Sequence, residues 1–309
     1  MKTTLSFALL GLVLCACAAQ AATGSYTLSS DSPPQITLDL ASEPGARVFN
    51  ATEMQPTDGF GTPTKLAIDV GDFSIDFYGE KITNFTLSFA GFIAFGEIYG
   101  NETKDPSFPL ADCPFPSRPS KLADFAFYQG LAFAWSQYDW SEGGNVAYKV
   151  YPAGSCPYTA KAAQACLVVQ ATVLPYYGLS AEKGLGNATA FIFSSGDFLV
   201  QVDSSSTGNW GNQRSDSVGV IFGIQDVLKG QGVTYPGEQY CNATATAGWE
   251  SVTNATTLYP GQTFGFYITA PCPSGQVIRP NGLGCYKAPT SSAAKSTAAW
   301  IDSIVDLFL

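Results

Sequence analysis

The sequence predicts an all-β protein, an antiparallel β-sandwich of jelly-roll-like type, with an extended N-terminal strand segment and a short C-terminal helix. Three observations carry this expectation. Apolar residues recur at every second position in many short runs, and Gly, Pro and Asn punctuate those runs. No long stretch before the tail shows a helical period. Successive strand side chains point to opposite faces, so an alternating run buries one face and wets the other.

The elements follow in order. Phe73-Ser74-Ile75-Asp76-Phe77 alternates, and a turn is expected at Gly79-Glu80. Over 83–89, Phe85, Leu87 and Phe89 share one face while Asn84, Thr86 and Ser88 share the other. Further strands are expected over 125–135, 146–151, 166–174, 188–193, 198–202, 218–224 and 264–269. Ser195-Gly196-Asp197 lies between two apolar runs and reads as a hairpin turn. The chain divides into a signal peptide (1–21), an extended N-terminal segment (22–63), a sandwich domain (64–270), a Cys/Pro/Gly-rich segment (271–290) and a tail (291–309). In the tail Ile301, Ile304, Val305 and Phe308 fall on one helical face. A glycolipid-anchor signal is the rival reading there, and Asp302 and Asp306 interrupt its apolar end.

Residues 1–21 combine a basic start, an apolar run too short for a comfortable membrane span, and the small-residue pattern Ala19-Gln20-Ala21. These predict a secretory signal peptide and no stable membrane span. Leu14-Cys15-Ala16-Cys17 loosely resembles a bacterial lipoprotein signal, which the sequons oppose. Six N-x-T sequons, at Asn50, Asn84, Asn101, Asn187, Asn242 and Asn254, use more than half of the ten asparagines. That excess points to N-glycosylation and an extracellular setting, at the cell surface or in a matrix. Only 13% of residues are charged, against roughly 25% in ordinary soluble domains, so glycans would supply much of the solubility. The net charge of −10 leaves no electrostatic footprint for nucleic acid.

With Cys15 and Cys17 removed with the signal, six cysteines remain. An even count in an exported chain suggests a disulfide framework, and six allow fifteen connectivities. The expected pairs are Cys156–Cys166, Cys272–Cys285 and the long-range Cys113–Cys241.

Phe77-Tyr78-Gly79 is followed by Ala90-Gly91-Phe92-Ile93-Ala94-Phe95-Gly96, then by Leu131-Ala132-Phe133-Ala134-Trp135 and Tyr138-Asp139-Trp140. Leu167-Val168-Val169-Gln170, the hairpin Phe191-Ile192-Phe193 to Gly196-Asp197-Phe198-Leu199-Val200, and Val218-Gly219-Val220 complete the order. Over about residues 66–235 this order resembles the nidogen-like extracellular domain and adhesive modules of exported bacterial proteases. The resemblance implies an extracellular β-sandwich and no chemistry of its own.

The chain has no histidine, which removes Ser-His-Asp and Cys-His catalysis and histidine metal sites. Carboxylates are the remaining route to hydrolysis, and Asp72 with Asp76, or Asp139 with Glu142, are the candidate pairs. Each reads better as a solvated face or turn. A calcium site from Asp139, Glu142 and Asn145 lacks the spacing of a known calcium loop. Gly184-Leu185-Gly186 lacks the lysine and helix start of a phosphate loop. Trp140, Tyr176, Tyr177, Trp210 and Trp249 could stack on sugars, although such aromatics more often pack in cores.

No catalytic residue, cofactor site or metal site is therefore expected. The expectation is a non-enzymatic structural protein, self-associating into a filament by β-strand addition, with a carbohydrate-binding or adhesion module as the alternative. Gln35-Ile36-Thr37-Leu38-Asp39-Leu40, directly after Pro33-Pro34, presents Ile36, Leu38 and Leu40 on one face. It reads as an ordinary edge strand or as the donor strand of such an assembly.

Overall fold

Seventeen short strands carry the described part of the chain, and no described helix exceeds one turn. The computed structural model describes residues 26–29, 36–54, 65–96, 128–135, 138, 140, 143–172, 187–203, 221–226, 231–235, 263–270, 272, 276–278 and 285–287. In chain order the strands begin with β1 (Thr27–Ser29), β2 (Arg47–Asn50), β3 (Lys65–Ile68), β4 (Ile75–Phe77), β5 (Glu80–Ile82), β6 (Phe85–Ser88), β7 (Phe92–Phe95) and β8 (Gln129–Trp135). They continue with β9 (Asn145–Tyr151), β10 (Cys166–Thr172), β11 (Asn187–Phe193), β12 (Phe198–Asp203), β13 (Ile221–Asp226), β14 (Gln231–Tyr235), β15 (Thr263–Thr269), β16 (Gln276–Ile278) and β17 (Cys285–Lys287).

Two antiparallel sheets form the sandwich. The larger has the order β1-β15-β12-β11-β10-β9-β2, and the smaller β14-β13-β8-β7-β6-β3. The all-β expectation holds. Both sheets send alternate residues into one shared core. From the larger come Leu167, Val169, Ile192, Phe198 and Val200, and from the smaller Phe85, Leu87, Ile93, Phe95, Leu131 and Phe133. The layers meet directly where Phe95 of β7 stacks on Phe198 of β12, with centroids 5.8 Å apart. The β4-β5 hairpin caps this seam, its Phe77 ring lying 4.8 Å from Phe95 and 5.9 Å from Phe198.

Turn chemistry sets the registers. Phe77 pairs with Glu80, so the β4-β5 turn is Tyr78-Gly79, one residue earlier than the sequence suggests. Both residues have positive φ, at 48° and 79°, as a two-residue hairpin with the right-handed strand twist requires. The turn expected at Ser195-Gly196-Asp197 joins β11 to β12: the Gly196 N–H donates to Phe193 O and the Phe193 N–H to Asp197 O.

A third device is the bulge where β7 begins. Gly91 O accepts from both Phe133 N and Ala134 N, each at 3.0 Å. A Cβ at Gly91 would lie 2.1 Å from Ala134 O, at a φ of +89°. Only glycine fits there.

One expected strand differs. Residues 36–39 alternate in exposure but join no sheet, and a 3-10 turn, Leu40–Ser42, follows them. Their apolar side chains are used on a sheet face, so the backbone forms no ladder. The C-terminal helix lies outside the described residues.

Candidate functional site

The larger sheet is apolar on both faces. In β10, Leu167, Val169 and Ala171 point into the shared core, whereas Cys166 and Val168 belong to a second buried cluster on the outer face. That cluster adds Ala147 and Tyr151 from β9, Phe191 and Phe193 from β11, Leu199 from β12, and Cys156 and Tyr158 from the loop before β10. An outer face this apolar must be covered. Two pieces of chain do so: the loop 152–165, closed by the Cys156–Cys166 disulfide, and the N-terminal segment 36–46.

The segment lies over the sheet as a strap. Leu40 is fully buried in the cluster, and Ile36, Leu38, Ala41 and Ala46 pack against it. In place of a neighbouring strand, one side chain holds the strap's backbone. Gln170, 3% exposed, accepts from the Leu40 N–H at 2.9 Å and donates to Leu38 O at 2.7 Å and to Thr189 Oγ1 at 3.0 Å. A buried amide needs such partners, so Gln170 fits an extended chain with apolar side chains at alternate positions. At the strap's end Lys149 Nζ pairs with Glu43 at 3.1 Å and lies 4.4 Å over the Tyr151 ring.

Burial, with Glu43 nearby, pushes the Tyr151 phenol up to about 12, and burial raises Tyr158. Among the described residues the hydroxyls of both tyrosines are enclosed without a hydrogen-bond partner. The face is built for apolar area first.

Two polar clusters lie elsewhere. Lys161 Nζ and Asp197 Oδ2 form a buried ion pair at 2.7 Å. Asp197 also accepts from Ser195 Oγ at 2.8 Å and from the Ala270 N–H at 2.7 Å. This joins the disulfide loop, the β11-β12 turn and the end of β15. In the smaller sheet Gln129 Nε2 donates to Glu80 Oε2 and Asp226 Oδ2, each at 3.1 Å, tying β5, β8 and β13 together. Among the described residues no group of three or more Cys, Asp or Glu is placed to hold a metal ion, and no helix is long and apolar enough to cross a membrane.

The predicted residues divide clearly. Asn84 is exposed just before β6, as its sequon requires, although Ser88 on the same strand is buried. Asn50 is exposed at the end of the edge strand β2, and Asn187 is partly buried at the start of β11. Asn101, Asn242 and Asn254 lie outside the described residues. The Cys156–Cys166 pair is present. Cys272 is disulfide-bonded, while Cys113, Cys241 and the Cys285 side chain lie outside what is described.

Asp72 sits in the turn before β4 and Asp76 on β4, and both are exposed. Asn145 begins β9, with its Oδ1 enclosed and without a partner among the described residues, while Asp139 and Glu142 are outside the described residues. Trp140 does not belong to a sugar platform. It is 3% exposed, and its Nε1–H donates to Phe89 O at 3.0 Å. Tyr176, Tyr177, Trp210, Trp249 and Gly184 to Gly186 lie outside the description. Sequence reasoning missed Gln170, whose only signal was a polar residue within an apolar strand.

Comparison with protein-family models, with curated proteins and with solved structures returns no match. The class defined by fold and site is therefore an all-β sandwich with a strapped outer face, and the nidogen-like resemblance rests on motif order alone.

Proposed function

We propose that this chain is a non-enzymatic, secreted, N-glycosylated structural protein of the cell surface or extracellular matrix that works by self-association. The observation that carries the reading is the strap, in which Ile36, Leu38 and Leu40 fill an apolar sheet face and Gln170 engages the strap's backbone. Such a seat takes an extended segment by shape and alternation, the chemistry by which strand-donating assemblies recognise their partners. Export is supported by the signal-like residues 1–21, by the sequons, with Asn50 and Asn84 exposed, and by the Cys156–Cys166 disulfide. Glycans on such exposed asparagines would coat the outside and oppose lateral aggregation.

Electron microscopy of the native secreted protein, beside a variant lacking residues 22–41, tests the proposal. Polymers are expected from the native chain and none from the variant. A native protein that stays monomeric at every concentration would refute self-association.

A further inference from the structure

We propose that the element exchanged between copies is the whole N-terminal arm, swung about the Pro44-Gly45 turn into a second copy of this chain; the inference rests on the self-association reading above. Residues 26–29 and 36–43 of this arm are described. They make three kinds of contact. β1 pairs with β15 through Thr27↔Thr269, Leu28↔Ile268 and Ser29↔Tyr267. Tyr26, 5% exposed, inserts its ring beside Tyr78 at 4.6 Å, Phe77 at 5.5 Å and Phe198 at 5.8 Å. The strap then covers the outer face of the same sheet.

The arm thus completes an edge, plugs the core and closes a face. A body without it would present the β15 edge and an apolar surface together, a template that must be filled by some copy of the same segment.

Its attachment suits exchange. No cysteine lies between Cys17 and Cys113, so no disulfide tethers the arm. Its covalent joint to the body is the turn Glu43-Pro44-Gly45-Ala46, closed by the Ala46 N–H donating to Glu43 O at 3.1 Å, with Gly45 at φ +79°. Proline then glycine at these two central positions is the type II pattern. Opening that one turn redirects the arm while every contact it makes can re-form on a neighbour.

Because the contacts are the same in cis and in trans, concentration decides between them. The linked arm competes at an effective concentration on the order of mM, so exchange belongs to a crowded surface or matrix. Donor and acceptor surfaces differ, so the contact is head-to-tail and open-ended unless its rotation closes a ring.

The natural Lys149–Glu43 pair, 3.1 Å apart, reports where each arm sits. Isotopically light and heavy full-length chains are refolded as a mixture, concentrated, treated with a carbodiimide to join Lys149 to Glu43, digested and weighed. Exchange gives mixed light–heavy Lys149–Glu43 peptides in the assembled fraction. Same-isotope peptides only, in a fraction that microscopy shows to be polymeric, overturn arm exchange and leave self-association standing. Monomers with same-isotope peptides only sink both.

A second measurement uses chains that each carry one cysteine added to the native set, Thr27→Cys or Thr269→Cys, mixed and oxidised. A covalent dimer is expected. Its absence, while a Thr27→Cys/Thr269→Cys double variant closes internally, contradicts exchange.

Discussion

At the scale of single residues, the buried polar side chains decide how loops are fixed to sheets. Lys161 and Asp197 are both almost wholly enclosed, and such a pair holds only while each charge keeps its partners. Lys161→Met leaves the Asp197 carboxylate with Ser195 and the Ala270 N–H, and is expected to cost about 3–5 kcal/mol. Asp197→Leu should cost more, because it removes the ion-pair partner of Lys161 and the acceptors of Ser195 Oγ and the Ala270 N–H together. Urea unfolding midpoints of the two variants check the order, and a smaller loss for Asp197→Leu would contradict this account. Gln170 differs in kind: its three hydrogen bonds all hold polar groups of the strap and of β11.

Elements carry the next level of design, and the edge strand β2 shows it best. Asn50 ends β2 and caps the one-turn helix α1 (Ala51–Met54). Its Oδ1 accepts from the Glu53 N–H at 3.2 Å while Glu53 Oε2 accepts from the Asn50 N–H at 3.1 Å. That is a reciprocal capping box. Arg47 pairs with Glu53 at 2.7 Å and lies 4.9 Å over the Phe49 ring, so charge guards an edge that would otherwise recruit strands.

The same asparagine opens the sequon Asn50-Ala51-Thr52, and two substitutions separate the cap from the proposed glycan. Asn50→Asp keeps a capping oxygen and removes the proposed glycan site, whereas Asn50→Ala removes both and should lose a further 0.5–2 kcal/mol or so. Intact mass reads the glycan and thermal unfolding reads the cap. Equal stability of the two variants would dismiss the capping role.

For the whole molecule, the buried phenols set the alkaline limit. Tyr26, Tyr78, Tyr151 and Tyr158 are all raised above the ordinary value, chiefly by burial, with Tyr151 at about 12. Neutral phenols are therefore favoured in the folded state. Their contribution is complete below about pH 10, where unfolded tyrosine is still protonated. It is lost as pH climbs from there through the folded values. Within that window each such phenol lowers stability by up to about 1.4 kcal/mol per pH unit. Phenolate absorbance and circular dichroism should therefore change together in an alkaline titration. Ionisation of these tyrosines well before the sheets are lost would count against their burial.

Because strand geometry repeats every two residues and needs no distant partner to be read, alternation in the sequence marked half-buried strands such as β4 and the exposure of Asn84, whereas β8, β10 and β11 are runs buried on both faces. It also identified Ile36, Leu38 and Leu40 as one apolar row. Only the tertiary structure decided where that row goes, since the choice between a sheet edge and a sheet face depends on Gln170, well over a hundred residues away. The same holds for Trp140, whose burial against Phe89 comes from packing between distant segments. Local periodicity says which face a side chain takes. What meets that face is fixed by contacts between residues far apart in the chain, and these are absent from any short window of sequence.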